Sequence, residues 1–263
     1  MRSGLEEMTR IFAVANQKGG VAKTTTVVNL SAALADAGHR VLIIDSDAQG
    51  HSGKAIGFET GEVKASLYQV LTGRATARDA IIDTRFENLW LLPSDTSLAA
   101  TEVELAAQTG KEYILDKALQ PVKEHFDFIV IDCPPFLGIL TINALIASTE
   151  VLVTCAMSYL SLEGVSDLLD LIEVINDNLY LPEKVIVGGV LACMYDRRTR
   201  VSAKVKKELE RYFHDKLYET VIPINVTLND AQTAGVPIIQ YATHSTGAAA
   251  YRRLAREITK PRD

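Results

Sequence analysis

The chain has 263 residues, of which 48% are hydrophobic and 23% charged, with a net charge of −6. That length and balance suit one large α/β domain with an ample core, and the acidic total excludes a wholly basic surface while leaving room for a local basic patch. Three scattered cysteines, Cys133, Cys155 and Cys193, show no metal-ligand spacing and fit a reduced cytoplasmic chain better than a disulfide framework, and no run reaches about 18 apolar residues, the length of a spanning helix.

In chain order, the opening M-R-S-G-L-E-E-M has no apolar run, so it is not a secretory signal. Residues 1–8 are expected to be a short flexible lead before a domain over 9–260. Strand-prone apolar runs then recur at 11–15, 41–44, 89–92, 128–131, 151–155, 185–190 and 221–222. Helical patterns lie between most of them, at 24–37, 101–124, 162–178 and 201–213. Short, continuously apolar strands alternating with helices predict a doubly wound, mostly parallel sheet covered on both faces. Gly38 is placed to end the first helix as a left-handed cap. In such sheets ligands sit at the carboxyl ends of the strands.

The first strand runs into N-Q-K-G-G-V-A-K-T-T-T, residues 16–26. The standard phosphate-loop pattern G-x-x-x-x-G-K-S/T asks for glycine where this chain has Gln17 and Ala22. It also has no place for a second lysine, Lys18. Even so, successive backbone N–H groups at the start of a helix form an anion site. The phosphate-binding set is Lys18, Gly19, Gly20, Val21, Ala22, Lys23, Thr24 and Thr25. Gly19 and Gly20 let the backbone curl. Lys23 supplies an ammonium for β- and γ-phosphates, and Thr24 a hydroxyl for Mg²⁺, a cation that takes hard oxygen ligands.

Two further stretches belong with this loop. In V-L-I-I-D-S-D-A-Q-G, residues 41–50, Asp45 and Asp47 lie two apart at a strand end, where alternation can bring both carboxylates to one side. Asp45 is assigned to the metal and Asp47 to the attacking water; the alternative is a pair of solvated loop aspartates. In F-D-F-I-V-I-D-C-P-P, residues 126–135, Asp132 follows a buried strand in the manner of a carboxylate that helps to hold Mg²⁺. Cys133 reads as a packed small residue.

Taken together, K-G-G-V-A-K-T-T-T, D-S-D-A-Q-G and V-I-D-C-P-P-F-L-G closely resemble the ParA/Soj partition ATPases of the deviant Walker A class. The likeness covers about residues 9 to 258 and includes Y-L-S-L-E-G (159–164), G-V-L-A-C-M-Y-D-R-R-T (189–199) and I-P-I-N-V (222–226). It implies ATP and Mg²⁺ as ligands, slow hydrolysis, and a homodimer in which Lys18 reaches across to the other subunit's ATP. It further implies non-specific DNA binding by the ATP dimer, a ParB-like or other cargo adaptor with a basic N-terminal segment, and a cytoplasmic, nucleoid-associated location. The cargo is a plasmid or chromosome origin, or a protein body as in the McdA-like branch. Pro223 and Asn225 correspond to part of the adenine pocket. The chain departs from the family at Ala22, where glycine is common, and at Ile224, Thr227 and Thr246, where relatives typically carry arginines that are candidate phosphate contacts.

Residues 196–211 hold seven basic and three acidic residues. At helical spacing Arg200, Lys204, Lys207 and Arg211 make one stripe, with Val201, Val205, Leu209 and Tyr212 on the buried side. With Arg197 and Arg198 they form a candidate surface for phosphate backbones; the alternative is an ordinary solvated helix face. Two rival functions remain. A MinD-like membrane switch needs a strongly apolar C-terminal helix face, but Tyr251, Leu254, Ala255 and Ile258 read as docking the last helix on the core, so membrane binding is not expected. A metabolic enzyme on the same scaffold needs a substrate motif, and none is visible; its electron-transfer variant needs exposed cluster cysteines.

Overall fold

The computed structural model describes residues 8–59 and 63–260. The expected lead over 1–8 falls outside them except for Met8, which is exposed. Seven strands form one sheet in the order β3-β4-β2-β5-β1-β6-β7. They are β1 (Arg10–Ala15), β2 (Val41–Asp45), β3 (Ile82–Asp83), β4 (Leu89–Leu92), β5 (Phe128–Asp132), β6 (Glu150–Ala156) and β7 (Val187–Cys193). All pairings are parallel except that of β3 with β4. From central β1 the chain winds outward through β2 and β4, returns at β5, and then moves to the other edge through β6 and β7. The direction of winding therefore changes beside β1, and the crevice this opens at the strand carboxyl ends is the usual ligand site of such sheets.

Strand alternation divides the core into two layers. Ile11, Ala13, Leu42, Ile44, Ile129, Ile131, Val151 and Val153 face one side. There they meet α7 (Ile139–Ala147) and α8 (Tyr159–Asn178) through Leu140, Leu145, Val165 and Leu168. Phe12, Val14, Val41, Ile43, Val130 and Leu152 face the other. They meet α1 (Lys23–Asp36) and α12 (Thr246–Thr259) through Leu30, Leu34, Tyr251 and Leu254. Tyr251, Leu254, Ala255 and Ile258 are all buried. The apolar face of the last helix is thus spent on the core, as its pattern predicts. Gly38 lies just past α1 with φ 91°, the left-handed cap expected of it.

Three expectations need correction. The pattern over 101–124 is not one helix: α5 (Thr101–Leu105) and α6 (Ile114–Leu119) are separated by a loop in which Gly110 takes φ 72°. Such a backbone angle interrupts a helix, and Pro121 then prevents α6 from continuing. The run at 221–222 forms no strand. It makes single bridging contacts along the edge of β7, with Ile222 N–H donating to Ala192 O, and Pro223 beside it has no N–H to extend a ladder. The last strand lies at Val187–Cys193 instead of 185–190, because it pairs with β6 from Val151 opposite Val187 to Ala156 opposite Cys193; its glycines leave room for neighbours, and a Cβ on Gly189 would come 2.4 Å from the Tyr218 ring.

Candidate functional site

The loop after β1 is clamped before it reaches α1. Asn16 is buried and its amide donates to Thr154 O (2.8 Å) and Ser161 O (3.4 Å), while its Oδ1 accepts the Lys18 N–H at 2.9 Å. Gln17 N–H donates to Gly164 O. A Cβ on Gly164 would lie 2.4 Å from Asn16 Oδ1 and 2.6 Å from Lys18 Cγ. Gly164 therefore belongs to the loop as much as to α8: it lets the Lys18 stem lie against the helix. This contact accounts for the glycine in Y-L-S-L-E-G, and neither Asn16 nor Gly164 is found by scanning for phosphate-loop residues.

The two lysines occupy different environments. Lys23 is buried, its Nζ donates to Lys18 O at 2.9 Å, and burial lowers its pKa against the opposing pull of Asp132. Gly20 and Ala22 both adopt left-handed angles, φ 69° and 67°. The position that departs from the usual glycine thus does require φ > 0, and the alanine there costs about 1–2 kcal/mol. A Cβ added to Gly19 or Gly20 meets nothing within 4 Å.

Asp132 and Asp45 end adjacent strands in register and are both fully buried. Thr24 Oγ1 and Ser52 Oγ each donate to Asp132 Oδ2 at 2.7 Å, which leaves Oδ1 buried without a hydrogen-bond partner. Asp45 accepts from the Gly53 and Asp47 N–H groups at 3.1 and 3.2 Å. Ser52 and Gly53 lie on α2 (His51–Ala55), so this short helix steadies both carboxylates. Ser52 has no motif signal: a lone serine seven residues beyond Asp45 reaches Asp132 only through tertiary packing. Burial raises the pKa of both acids; for Asp45 the neighbouring Asp132 adds to the rise, and for Asp132 the Ser52 and Thr24 hydrogen bonds oppose it. Two buried carboxylates side by side, one with an orphaned oxygen, form a hard-oxygen site with an unmet need for positive charge, which suits Mg²⁺. Asp47 is half-buried at the rim, its Oδ1 accepting the Gln49 N–H.

The strands, loop and carboxylates make a phosphate-loop nucleotide site, and a family model described as an AAA domain matches residues 9–184. The sporulation initiation inhibitor protein Soj of Bacillus subtilis is 44% identical over 251 residues, 95% of this chain and 98% of that one. The chain belongs to the ParA/Soj family. The chromosome partitioning protein ParA of Caulobacter vibrioides is 39% identical over 257 residues, covering 97% and 96%. Among solved structures, one from Mycobacterium smegmatis described as cobyrinic acid a,c-diamide synthase with a bound ATP analogue and magnesium is 36% identical. It covers 95% of this chain and 93% of its own at a TM-score of 0.79.

Other candidate residues of this ParA/Soj chain lie away from the loop. Asn225 caps α10 (Val226–Thr233) by accepting the Thr227 N–H, and its amide donates to Thr246 Oγ1 at 2.9 Å. Pro223 bridges to Tyr195. No hydrogen bond among the described residues ties Pro223 or Asn225 to the phosphate loop. Ile224 is exposed.

On α9 (Arg200–Phe213), Arg200, Lys204, Lys207 and Arg211 are exposed as expected, and Arg197 and Arg198 precede them on the surface. The buried face differs from the expected one. It comprises Ser202, Val205, Leu209 and Phe213, while Val201 and Tyr212 are exposed. Rotating the helix to bury Phe213 turns Tyr212 outward. Arg198 is held by Asp196 and Arg211 by Glu208. Arg197, Arg200, Lys204 and Lys207 have no ion pair among the described residues. The three cysteines are buried and free, and burial lifts Cys155 and Cys193 to about 12, so they are inert packed thiols. No helix among the described residues is long and apolar enough to cross a membrane.

Proposed function

We propose that this chain is an ATP-dependent dimerising switch that binds DNA non-specifically and partitions or positions a cargo over the nucleoid. One observation carries the reading: the loop holds a buried lysine, Lys23, and a second, Lys18, whose stem lies against Gly164 of α8, a helix whose first turn exposes Tyr159 and Leu160. A lysine side chain that the loop itself does not use fits a group lent to a second copy that covers this face.

The reading treats residues 9–260 as one ATPase domain. Lys23 and the amides of 18–25 hold the β- and γ-phosphates. Thr24, Asp132 and Asp45 hold Mg²⁺, with Ser52 keeping the Asp132 carboxylate in place. Bound magnesium neutralises charge on the phosphates. Asp47 orients the attacking water. Lys18 neutralises γ-phosphate charge in trans only when the dimer is closed; a cation supplied in trans is worth about 10³–10⁵ in rate. Pro223 and Asn225 line the adenine side. The dimer doubles the exposed Arg197–Arg198 and α9 surface, so weak phosphate contacts act together. A cargo adaptor with a basic N-terminal segment speeds hydrolysis, and the protein is cytoplasmic.

The description of the M. smegmatis structure favours a second reading, a small-molecule ligase on the same scaffold. A DNA gel-shift at moderate salt, with and without ATP, separates the two. The switch predicts ATP-dependent retention of unrelated DNA sequences, and equal mobility in both lanes contradicts it. Lipid flotation in parallel tests membrane binding, which the buried face of α12 argues against.

A further inference from the structure

We propose that a cleft at the amino ends of the strands binds a small aromatic acid, a planar ring bearing one carboxylate or phosphate. The cleft has a volume of about 490 Å³. It lies where Arg40 leads into β2, Trp90 sits near the start of β4 and Phe126 precedes β5. The nucleotide site is at the carboxyl ends of the strands, so the two are separated by at least the length of β2, about 15 Å.

The rings of this cleft are fixed by the protein itself. Asp83 lies opposite Trp90 in the β3–β4 register, and the indole N–H donates to Asp83 Oδ1 at 2.8 Å. The Phe126 ring meets the indole edge-on, with centroids 5.6 Å apart and planes at 65°. Phe126 is buried and Trp90 half-buried. Ile81 and Val122 complete the apolar lining. His125 donates its Nδ1–H to Val122 O at 3.2 Å, which leaves Nε2 for a ligand. Two guanidiniums stand at the cleft. Arg40 is held by Asp127 at 2.8 Å, whereas Arg78, on the short helix Ala77–Ala80, has no ion pair among the described residues. The one lining carboxylate, Asp83, already accepts the indole N–H.

These features select one ligand chemistry. Small-molecule sites of this size combine apolar and aromatic walls with a few placed polar groups. A flat ring packs against the indole in the offset or edge-on arrangements that aromatic pairs prefer. The planar fork of a guanidinium matches a carboxylate or a phosphate. Two guanidiniums against a single carboxylate favour an anion over an amine. A ringless anion leaves the aromatic wall uncovered, and a neutral ring leaves Arg78 unanswered. Only a molecule that carries both ring and acid uses the whole cleft.

Trp90 is the single tryptophan of the chain, so indole emission reports on this cleft. The test is a fluorescence titration of the full chain, excited at the indole, with phenylacetate and with phenyl phosphate. Saturating MgADP keeps the phosphate loop occupied throughout. At least one of the two acids is expected to shift the Trp90 emission saturably, and the tighter one identifies the acid as carboxylate or phosphate. Benzyl alcohol and inorganic phosphate, which carry the ring or the charge alone, should each bind more weakly by about fivefold or more. Arg78→Gln should weaken the tighter acid by about fivefold, the upper scale of one exposed ion pair. Arg253→Gln, which removes an exposed arginine of α12, should leave it unchanged. No saturable shift with either acid overturns the proposal. So does benzyl alcohol binding as tightly as the acids, or an Arg78→Gln affinity equal to that of the wild type.

Discussion

The phosphate loop and the α9 surface are the two cationic regions on which the account turns, and they are built in opposite ways. Around the loop the charges are few, buried and positioned by tertiary contacts: Lys23 on Lys18 O, and Asp132 between Thr24 and Ser52. On α9 they are many, exposed and mostly without partners. A buried charge is costly unless its counter-charge arrives, so the loop is specific for one ligand chemistry. An exposed stripe costs little to keep and reads only charge density, which suits a surface that binds any sequence.

The comparison breaks first, and hardest, at the loop. Replacing Lys23 with alanine should remove ATP binding. Truncating one member of a buried charge pair costs about 2–5 kcal/mol, or roughly thirtyfold to several-thousandfold in affinity. Titration with a non-hydrolysable ATP analogue reads this directly, and an affinity within threefold of wild type would remove Lys23 from the phosphates.

The α9 surface should break differently. Alanine at Arg200, Lys204 and Lys207 together leaves nucleotide affinity untouched and abolishes ATP-dependent DNA binding at moderate salt. Any weak residual binding at low salt should have a log–log salt slope lower by about 5, from three phosphate contacts on each of two subunits. Full retention in a gel-shift would return the stripe to the status of a solvated helix face.

A third prediction concerns the buried acids. Burial raises Asp45 above its unfolded value of 3.8 to about 8. In the nucleotide-free chain the folded state therefore keeps a proton that the unfolded state releases. The stability linked to that proton is fully present below the unfolded value and is lost as pH rises through the folded one. Thermal melts should show the wild type losing stability relative to Asp45→Asn between about pH 4 and pH 8, and MgATP should flatten the difference. Parallel pH curves for the two proteins would mean that Asp45 is not strained by its burial.

The smallest effect belongs to Ala22. Its φ of 67° means that Ala22→Gly relieves strain, raising stability by about 1–2 kcal/mol while changing nucleotide affinity by less than about tenfold. A far larger gain in affinity would show that the alanine cripples the loop.

The division between legible and hidden features follows from these two regions. Most of the strands, the loop and the acids at the strand ends were legible because each is a contiguous run whose chemistry is local. Asn16, Ser52 and Gly164 were not, since each acts on a residue distant in sequence. Periodicity also placed Tyr212 on the buried face of α9, where packing chose Phe213, one position later. The 101–124 segment carried a helical pattern, but Gly110 at φ 72° overrode it.

The sandwich itself is tested most directly by sedimentation with MgATP. Asp47→Ala, slow to hydrolyse, should run as a dimer with ATP and as a monomer with ADP. Adding Lys18→Ala to that variant should return it to a monomer while its ATP affinity holds. A double variant that dimerises as firmly as Asp47→Ala, or an Asp47→Ala protein that stays monomeric with ATP bound, would contradict the claim that Lys18 acts across a nucleotide-closed interface.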